Sequence, residues 1–339
     1  MKALRVLALM HDYLVPPGDT AGLDTVNVPW RMEFDVVSHL ESMSHHVRKV
    51  GVKDDLGVVR QAIVEDRPQI VFNLMENFAE VGVFDQHVVS FLELMKTPYT
   101  GCNPRGLMLS RDKALARSLL AYHRIPVPEF AVVRRGQLPR RNKRLTYPVI
   151  VKSLTQEASI GTSQASVVED ENALRDRVRF VHQSIGTDAI VERYIEGREV
   201  YVAVLGNFRL HVLPAWELKF ANMPEHAHRI ASERVKWNEA YRERHGITTG
   251  PADLPADTAK RLQHIGKRVY RTLNLSGYAR IDVRLDSEGR AYVLEANPNP
   301  QLARGEDFAD AAEFAGIGYG DLLQRILGLG LRWRPELAG

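Results

Sequence analysis

The chain has 339 residues, 45% of them apolar, which is enough for two or three domains with substantial cores. Its 45 basic and 42 acidic residues leave a formal net charge of only +3, which excludes the strongly basic composition of proteins that bind nucleic acids or membranes through overall charge. The single cysteine, Cys102, excludes an internal disulfide, and no stretch approaches the roughly 20 apolar residues of a membrane span. We therefore expect a cytoplasmic protein without nucleic-acid or membrane partners.

The first hundred residues alternate predicted strands with predicted helices. Short β-branched runs cover residues 4–10, 46–52 and 69–75, and residues 31–43 and 85–96 have apolar residues at helical spacing. This alternation predicts a small parallel sheet. A turn-rich stretch rich in Pro, Gly and Asn follows, and we end the first unit with it, at residues 1–106.

Two further units are predicted, at residues 107–188 and 189–339. The second opens with a helix for which Ser110 is the expected N-cap, followed by two strands joined by the basic stretch 134–144, which we interpret as a solvated connection. The third is rich in strands at first. Its polar segment 217–255 is too long for an ordinary loop, and such connections are usually functional or disordered. Helices are predicted near residues 256–273 and 319–331.

A hairpin, ARIDVRLDSEGRAYVLEANPNPQ, covers residues 279–301. Polar and apolar residues alternate in both strands, so each strand has a drier and a wetter face. A loop with an even number of residues, such as a Glu-Gly turn, places Leu294 across from Val283 and Glu295 directly across from Asp282. An odd loop would turn Glu295 to the apolar side, which the burial of a charge disfavours. The even register brings Asp282, Glu295 and Asn297 together, with Arg280 beside them.

Two carboxylates this close repel each other unless a cation lies between them or one of them is protonated. Oxygen ligands suit Mg²⁺ or Mn²⁺, and Mg²⁺ usually completes its coordination with water and the phosphates of a substrate. The hairpin thus points to a phosphate-bearing substrate. The alternative is an exposed hairpin with ordinary polar residues.

Lysines and glutamates upstream offer further candidate sites. Lys152 ends an apolar strand and precedes a small-residue loop whose backbone N–H groups could wrap phosphates, and Lys113 lies in a first helical turn, where the helix dipole disfavours a cation unless it serves an anion. Glu192 ends an apolar strand, and a short extended link leads from it to Glu199. The backbone donors and acceptors of such a link can pair with the edge of an adenine. Taken singly, each of these residues is also consistent with an ordinary surface position.

Together these segments resemble one known family. SRDK, VIVKS, EASIGTS, VERYIEGRE and the hairpin, in this order, are similar to the ATP-grasp superfamily, specifically the D-alanine:D-alanine ligase-like carboxylate–amine ligases. The resemblance implies an α/β fold of ATP-grasp architecture. An N-terminal Rossmann-like unit with a parallel sheet (1–106) would supply the substrate side, and a central (107–188) and a C-terminal α+β unit (189–339) would grip ATP.

The resemblance also implies roles for individual residues. Phosphate contacts fall on Lys113 and Lys152, with the loop around Ser159 and Gly161 closing over them. Glu192 would accept from the adenine amino group and Glu199 would bind the ribose hydroxyls. The Mg²⁺ ligands would be Asp282, Glu295 and Asn297, and Arg280 would stabilise a tetrahedral oxyanion.

Elsewhere the sequence departs from the family's pattern. In VKWNEAYRER the family's lysine is replaced by Ala240, and Lys236 is a candidate substitute. The substrate-binding segments of the family are replaced by MHDYLVPPGDT, NLMENFAEVGVFD and NPNPQLARGEDF, which argues against D-alanine as the substrate. Candidate substrate contacts in these segments are Asp12, Glu76, Gln301 and Arg304.

The function that follows is an ATP-dependent, Mg²⁺- or Mn²⁺-requiring ligase. It would activate a carboxylate as an acyl phosphate and join it to the amine of an amino acid or small peptide, with release of ADP and phosphate. Two alternatives stay open, a ligase that modifies a peptide or protein terminus and an ATP-binding regulatory module without catalysis. We consider a homodimer as the assembly.

Overall fold

A computed structural model describes residues 2–139, 145–156 and 159–335. The first unit contains a parallel three-stranded sheet in the order β2-β1-β3. Its strands are β1 (Arg5–His11), β2 (His46–Val52) and β3 (Ile70–Asn73), and its helices are α1 (Arg31–Ser42), α2 (Gly57–Asp66) and α3 (Asp85–Leu94). Helices cover both faces of the sheet, so the central strand β1 is buried over six consecutive residues. The predicted parallel sheet is confirmed.

Two helices in sequence lead out of the first unit, α4 (Pro104–Arg111) and α5 (Lys113–Tyr122). Asp112 caps α5, since its carboxylate accepts from the backbone N–H groups of Ala114 and Leu115, both at 2.9 Å. The prediction of Ser110 as the N-cap was wrong. Ser110 lies inside α4, where its hydroxyl donates to the carbonyl of Gly106 at 2.8 Å.

An antiparallel four-stranded sheet follows, in the order β4-β7-β5-β6. Its strands are β4 (Phe130–Val133), β5 (Val149–Ser153), β6 (Val167–Val168) and β7 (Ala189–Arg193), and the helix α6 (Glu171–Phe180) packs against β5 and β6. Valines of β5 and β7 form its small core with Val178 of α6. The predicted strands β4 and β5 are confirmed, whereas part of the basic stretch, residues 140–144, lies outside the described residues.

The largest sheet has six strands in the order β11-β10-β8-β12-β13, with β9 also paired to β8. The strands are β8 (Arg198–Leu205), β9 (His211–Val212), β10 (Trp216–Phe220), β11 (Ile247–Pro251), β12 (Tyr278–Leu285) and β13 (Ala291–Pro298). The helices of this part of the chain are α7 (Glu233–Trp237), α8 (Glu239–Arg244), α9 (Ala256–Thr272), α10 (Asp307–Phe314) and α11 (Tyr319–Arg332).

The polar segment 217–255 is more regular than expected. It contains most of β10, both short helices α7 and α8, and β11, and β10 pairs with β11 over five residues. The strands were not predicted because they are short and half polar. They are stabilised by pairing, β10 with β8 and β11 with β10, rather than by their own pattern.

The helix α9 determines which face of the large sheet carries function. Its apolar residues Leu262, Ile265 and Val269 pack against alternate residues of β8 and β12, such as Val202 and Ile281. Because successive side chains of a strand point to opposite faces, the polar residues of these strands face away from α9. None of the helices in the described ranges combines the length and hydropathy that a membrane crossing requires.

Candidate active site

The turn of the hairpin β12–β13 differs from the predicted one. Leu285 pairs with Ala291, which leaves a loop of residues 286–290 between the strands. The N–H of Asp286 donates to the carbonyl of Arg290 at 3.0 Å. The loop therefore has an odd number of residues, and the predicted two-residue turn was wrong.

A β-bulge in β13 nevertheless restores the predicted pair of carboxylates. Val283 pairs with Val293, but Asp282 pairs with Glu295, so Leu294 is an extra residue in β13. One inserted residue moves the side chains that follow it in the strand to the opposite face of the sheet. This shift compensates for the odd loop. Asp282 and Glu295 are cross-strand partners, as predicted, although Leu294 does not lie opposite Val283.

Asp282 and Arg280 form a tight pair on this face. The Nε and Nη2 groups of Arg280 donate to the two carboxylate oxygens of Asp282 at 2.8 and 3.0 Å. Arg280 also lies 3.4 Å from Asp307 of α10 and over the ring of Tyr201, 4.4 Å from its centroid. Burial raises the pKa of Asp282, against the opposing effect of Arg280.

Glu295 lies among cations. Burial by itself would raise the pKa of Glu295, but Lys113, Lys236 and Lys152 outweigh it, and together with Arg280 they hold that pKa well below its usual range. Glu295 is thus an ionised carboxylate directed towards three lysines.

The donor set fits a hard divalent cation. Asp282 and Glu295 supply carboxylate oxygens, and the amide of Asn297 lies next to Glu295, with Nδ2 at 3.5 Å from Oε1. No three His, Cys, Asp or Glu side chains gather around one point in the described ranges, so a cation here would take its remaining ligands from water or a substrate. Mg²⁺ commonly binds in this way.

A cleft lies between the four-stranded and six-stranded sheets, next to these carboxylates. Asp282 and Glu295 form part of its lining. Its lining combines polar groups with apolar walls from Ile150, Ile230 and Leu294. Such a cleft suits a molecule with a flat apolar part and a charged part.

Three lysines supply positive charge to the cleft. Lys113 is the first residue of α5, and its ammonium group donates to the carbonyl of Gln156 at 2.6 Å. Burial lowers the pKa of Lys113 to about 8, against the opposing effect of Glu295. Lys152 comes from β5 and Lys236 from α7, and both line the cleft. The predicted lysines therefore meet in one place.

Glu192 lies behind the cleft rather than in its described lining. Its side chain is 1% exposed and pairs with Lys152 at 3.1 Å and with Arg117. Burial opposes its ionisation, but these cations hold the pKa of Glu192 below its ordinary value. Its contact with an adenine amino group stays a prediction, and the structure gives its carboxylate two cationic partners within the chain.

Glu199 lines the cleft and has a partner that sequence reasoning did not single out. Arg284 donates from Nη2 to Glu199 at 2.8 Å, and its Nη1 donates to the carbonyls of Gly197 and Arg229. The signal was available in the hairpin, because Arg284 lies on the same face as Arg280 and Asp282. Whether Glu199 contacts a ribose stays a prediction.

The small-residue loop lies at the cleft and is held by residues at the start of α7 and just before it. The Ser159 hydroxyl donates to the carbonyl of Ala231 at 2.6 Å, and the Gly161 N–H donates to the carboxylate of Glu233 at 2.9 Å. Gly161 has φ +70°, a backbone conformation that residues with a Cβ rarely adopt, so glycine is favoured there. Ser159 lines the cleft, while its neighbours 157 and 158 lie outside the described residues.

The four candidate substrate contacts lie outside the described lining of the cleft. Asp12 and Glu76 follow β1 and β3, so both lie at the carboxyl edge of the first sheet, and Gln301 and Arg304 follow β13. All four residues are exposed. Their roles stay predictions.

Arg304 has defined partners in the first unit. Its backbone N–H donates to Asp35 at 2.9 Å, its Nη2 lies 2.7 Å from Nδ1 of His39, and its guanidinium lies over the ring of Tyr319. Arg304 therefore ties the segment after β13 to α1 and α11.

Glu33 is a residue that sequence reasoning missed. It lies in the first turn of α1 and is 1% exposed, and its carboxylate oxygens have no hydrogen-bond partner among the described residues. Burial raises the pKa of Glu33 to about 7, and the nearby charge of Glu76 adds to this. The available signal was its spacing, since Glu33 occupies the apolar face of α1 with Val36, Val37 and Leu40.

Comparisons with known proteins agree with this architecture. The family model described as D-ala D-ala ligase C-terminus matches residues 119–328. A D-alanine–D-alanine ligase of Desulforudis audaxviator is 30% identical over 87% of this chain and 90% of its own length. An uncharacterised protein, y4sG, of Sinorhizobium fredii is 34% identical over 76% of this chain and 73% of its own length.

Solved structures share the fold. The structure of D-alanine–D-alanine ligase from Bacillus anthracis complexed with ATP matches with a TM-score of 0.75 and 20% identity, over 99% of this chain and all of that one. Its ATP-grasp architecture confirms the predicted fold class. The chain belongs to the D-alanine–D-alanine ligase family, and it is an ATP-grasp carboxylate–amine ligase.

Proposed function

We propose that the protein activates a carboxylate as an acyl phosphate with ATP and joins it to the amine of an amino acid or small peptide. The observation that carries the proposal is the convergence of the Asp282–Glu295 pair with Lys113, Lys152 and Lys236 in one cleft. Carboxylates and ammonium groups so arranged suit a polyphosphate whose charge is shared between a divalent cation and the protein.

Different residues of the cleft would bind the phosphates, the metal ion and the base of ATP. The three lysines would bind the phosphates, and Asp282, Glu295 and Asn297 would hold Mg²⁺. When bound, Mg²⁺ would neutralise charge on the phosphates during transfer. Apolar walls from Ile150 and Leu294 would enclose the base and exclude water.

Arg280 would stabilise the oxyanion that forms when the amine attacks the acyl phosphate. Its guanidinium is held in place by Asp282 and Asp307 and by the ring of Tyr201. A preorganised donor needs little reorganisation during the reaction, and such donors contribute about 3 to 4 kcal/mol to catalysis.

The substrate side is expected at the first sheet. Asp12, Glu33 and Glu76 place three carboxyl groups at or near its carboxyl edge, which suits a substrate that carries an amino group. The segment that holds Gln301 and Arg304 reaches this region through Asp35 and His39. The substrate would therefore lie between the first unit and the end of β13.

The proposal is tested by measuring ADP release with a panel of D- and L-amino acids and dipeptides, alone and in pairs. We expect amine-dependent turnover with at least one pair, and a loss of at least about 100-fold in the double variant Asp282→Asn, Glu295→Gln. Glu288→Gln is the matched control, since it removes an exposed carboxylate from the same hairpin. Tight ATP binding without turnover for any pair would favour a regulatory module instead.

A further inference from the structure

Arg117 is the largest fully buried side chain of the described residues, and it lies next to the cleft rather than in its lining. It belongs to α5, four residues after Lys113, and is 2% exposed. A buried guanidinium requires compensating partners. Those partners show what the residue does.

Arg117 joins three elements. Its Nε group forms an ion pair with Glu192 of β7, its Nη1 donates to the carbonyl of Lys113 at 3.1 Å, and its Nη2 donates to the carbonyl of Leu294 at 2.6 Å. The last contact spans 177 residues of sequence. It ends on the extra residue of the β13 bulge.

A bulge residue leaves the regular ladder of a sheet, so its carbonyl needs a partner from elsewhere. Arg117 supplies that partner for Leu294, and the preceding residue is held as well, because the N–H of Val293 donates to the carbonyl of Pro126 at 2.9 Å. Both contacts come from α5 and the segment after it. The bulge is thus fixed from outside the sheet.

The position of the bulge decides which way Glu295 points. With the five-residue loop alone, Leu294 would pair with Asp282 and Glu295 would lie on the opposite face of the sheet. The inserted Leu294 brings Glu295 across from Asp282. If the bulge were absent, the Glu295 carboxylate would face α9 and the apolar core. Whatever stabilises the bulge therefore keeps Glu295 in the cleft.

We propose that Arg117 is a positioning residue for the metal site: it holds the Leu294 carbonyl, fixes the bulge and so directs Glu295 into the cleft. Glu192, through its ion pair, orients Arg117 for this contact. The inference rests on the proposed function, because it assumes that Glu295 binds the divalent cation. It adds a role for two residues that touch neither the cation nor the phosphates.

The test uses Arg117→Lys in the full chain and measures binding of ADP by calorimetry, with EDTA and with Mn²⁺, and binding of Mn²⁺ to the ADP complex by electron paramagnetic resonance. A lysine keeps the positive charge beside Glu192. It lacks the planar guanidinium that contacts the Glu192 carboxylate and the Leu294 carbonyl at the same time. We expect Mn²⁺ affinity to fall about 10-fold or more, with ADP affinity in EDTA within about twofold of wild type. Unchanged Mn²⁺ affinity, or an equal loss in both measurements, overturns the proposal.

Two further variants complete the design. Leu323→Ala removes a fully buried side chain of α11 that lies in a different hydrophobic cluster from Val293 and Ala296 of β13. It should leave Mn²⁺ affinity unchanged although it lowers stability. Glu192→Gln loosens Arg117 without removing it and keeps the inference testable if Arg117→Lys does not fold. A fall in its Mn²⁺ affinity supports the inference, and a loss confined to ADP binding in EDTA overturns it.

Glu295→Gln separates this inference from the proposed function. If Glu295→Gln binds Mn²⁺ as well as wild type, the metal assignment itself is wrong. If Glu295→Gln loses Mn²⁺ affinity while Arg117→Lys keeps it, the metal assignment stands and only the positioning role is wrong.

Discussion

Buried charged residues define the cleft, and their partners explain why only some of them were visible in the sequence. Asp282 and Glu295 could be predicted because strand alternation places them on one face. Arg117 could not, since its contact with Leu294 lies 177 residues away along the chain. Alternation also places Arg284 on this face, but its pairing with Glu199, 85 residues away, could not be predicted. Contacts of that range depend on packing rather than on local pattern.

Glu33 leads to a prediction about stability and pH. Its pKa is about 7 in the folded chain and near its ordinary value of 4.5 when unfolded, so the folded state binds more protons between pH 4.5 and 7. Stability contributed by the protonated group is therefore lost as pH rises through this window, by on the order of 3 kcal/mol. Glu33→Gln should remove this loss, as measured by urea unfolding of both proteins at pH 5 and pH 8.

The comparison of two proteins cancels the titration of groups that do not interact with Glu33. Relative to wild type, Glu33→Gln should be more stable at pH 8 than at pH 5. Parallel pH profiles for the two proteins would mean that Glu33 is ionised and solvated in the fold, in disagreement with its 1% exposure.

In α5, the residue that caps the helix lies next to a lysine of the cleft. Asp112 caps the helix and thereby fixes Lys113, its first residue, whose ammonium group lies in the cleft. The capping residue was misassigned from the sequence because Ser110 and Asp112 are both good caps and the end of α4 between them was not recognised. The spacing of apolar residues indicated the helix α5 correctly. Its first residue could not be placed, because that depends on where α4 ends.

We expect Asp112→Ala to lower the free energy of unfolding by about 1 kcal/mol and to weaken ATP binding severalfold, because the cap positions Lys113. Asp170→Ala is the matched control, since Asp170 caps α6 through two backbone N–H groups at 2.8 and 2.9 Å. It should cost similar stability in urea unfolding and leave ATP affinity, measured by calorimetry, unchanged. Equal ATP affinities for both variants would show that capping does not position Lys113.

At the scale of the whole molecule, the first unit and the large sheet share their cores. The connection 97–106 docks onto the residues before and after the hairpin: the N–H of Cys102 donates to the side chain of Asn299 at 2.8 Å, and the N–H of Asn103 donates to Ser276 at 2.9 Å. Two hydrophobic clusters contain residues of both the first and the large sheet. The unit boundaries at residues 106 and 188 stay predictions.

This docking can be tested with two glycines of similar backbone conformation. Gly277 has φ +70°, and a Cβ there would meet the carbonyl oxygen of Gly101 at 2.4 Å, whereas Gly316 has φ +78° and open space around it. Gly316→Ala should cost about 1 kcal/mol through its left-handed conformation alone. Gly277→Ala should cost at least about 3 kcal/mol, because the docked connection must also move. Equal costs in urea unfolding would indicate that the connection is loosely held.

Local pattern in the sequence by itself determined the parallel sheet, the main helices and the hairpin with its carboxylates, because period and composition reflect which face of an element is buried. The sequence segments also indicated the family. Tertiary structure alone decided the odd loop and its compensating bulge, the strands within 217–255 and the partners of Arg117 and Arg284. A bulge carbonyl or a buried charge is stabilised by groups that are remote in sequence, so these features exist only once the chain has folded.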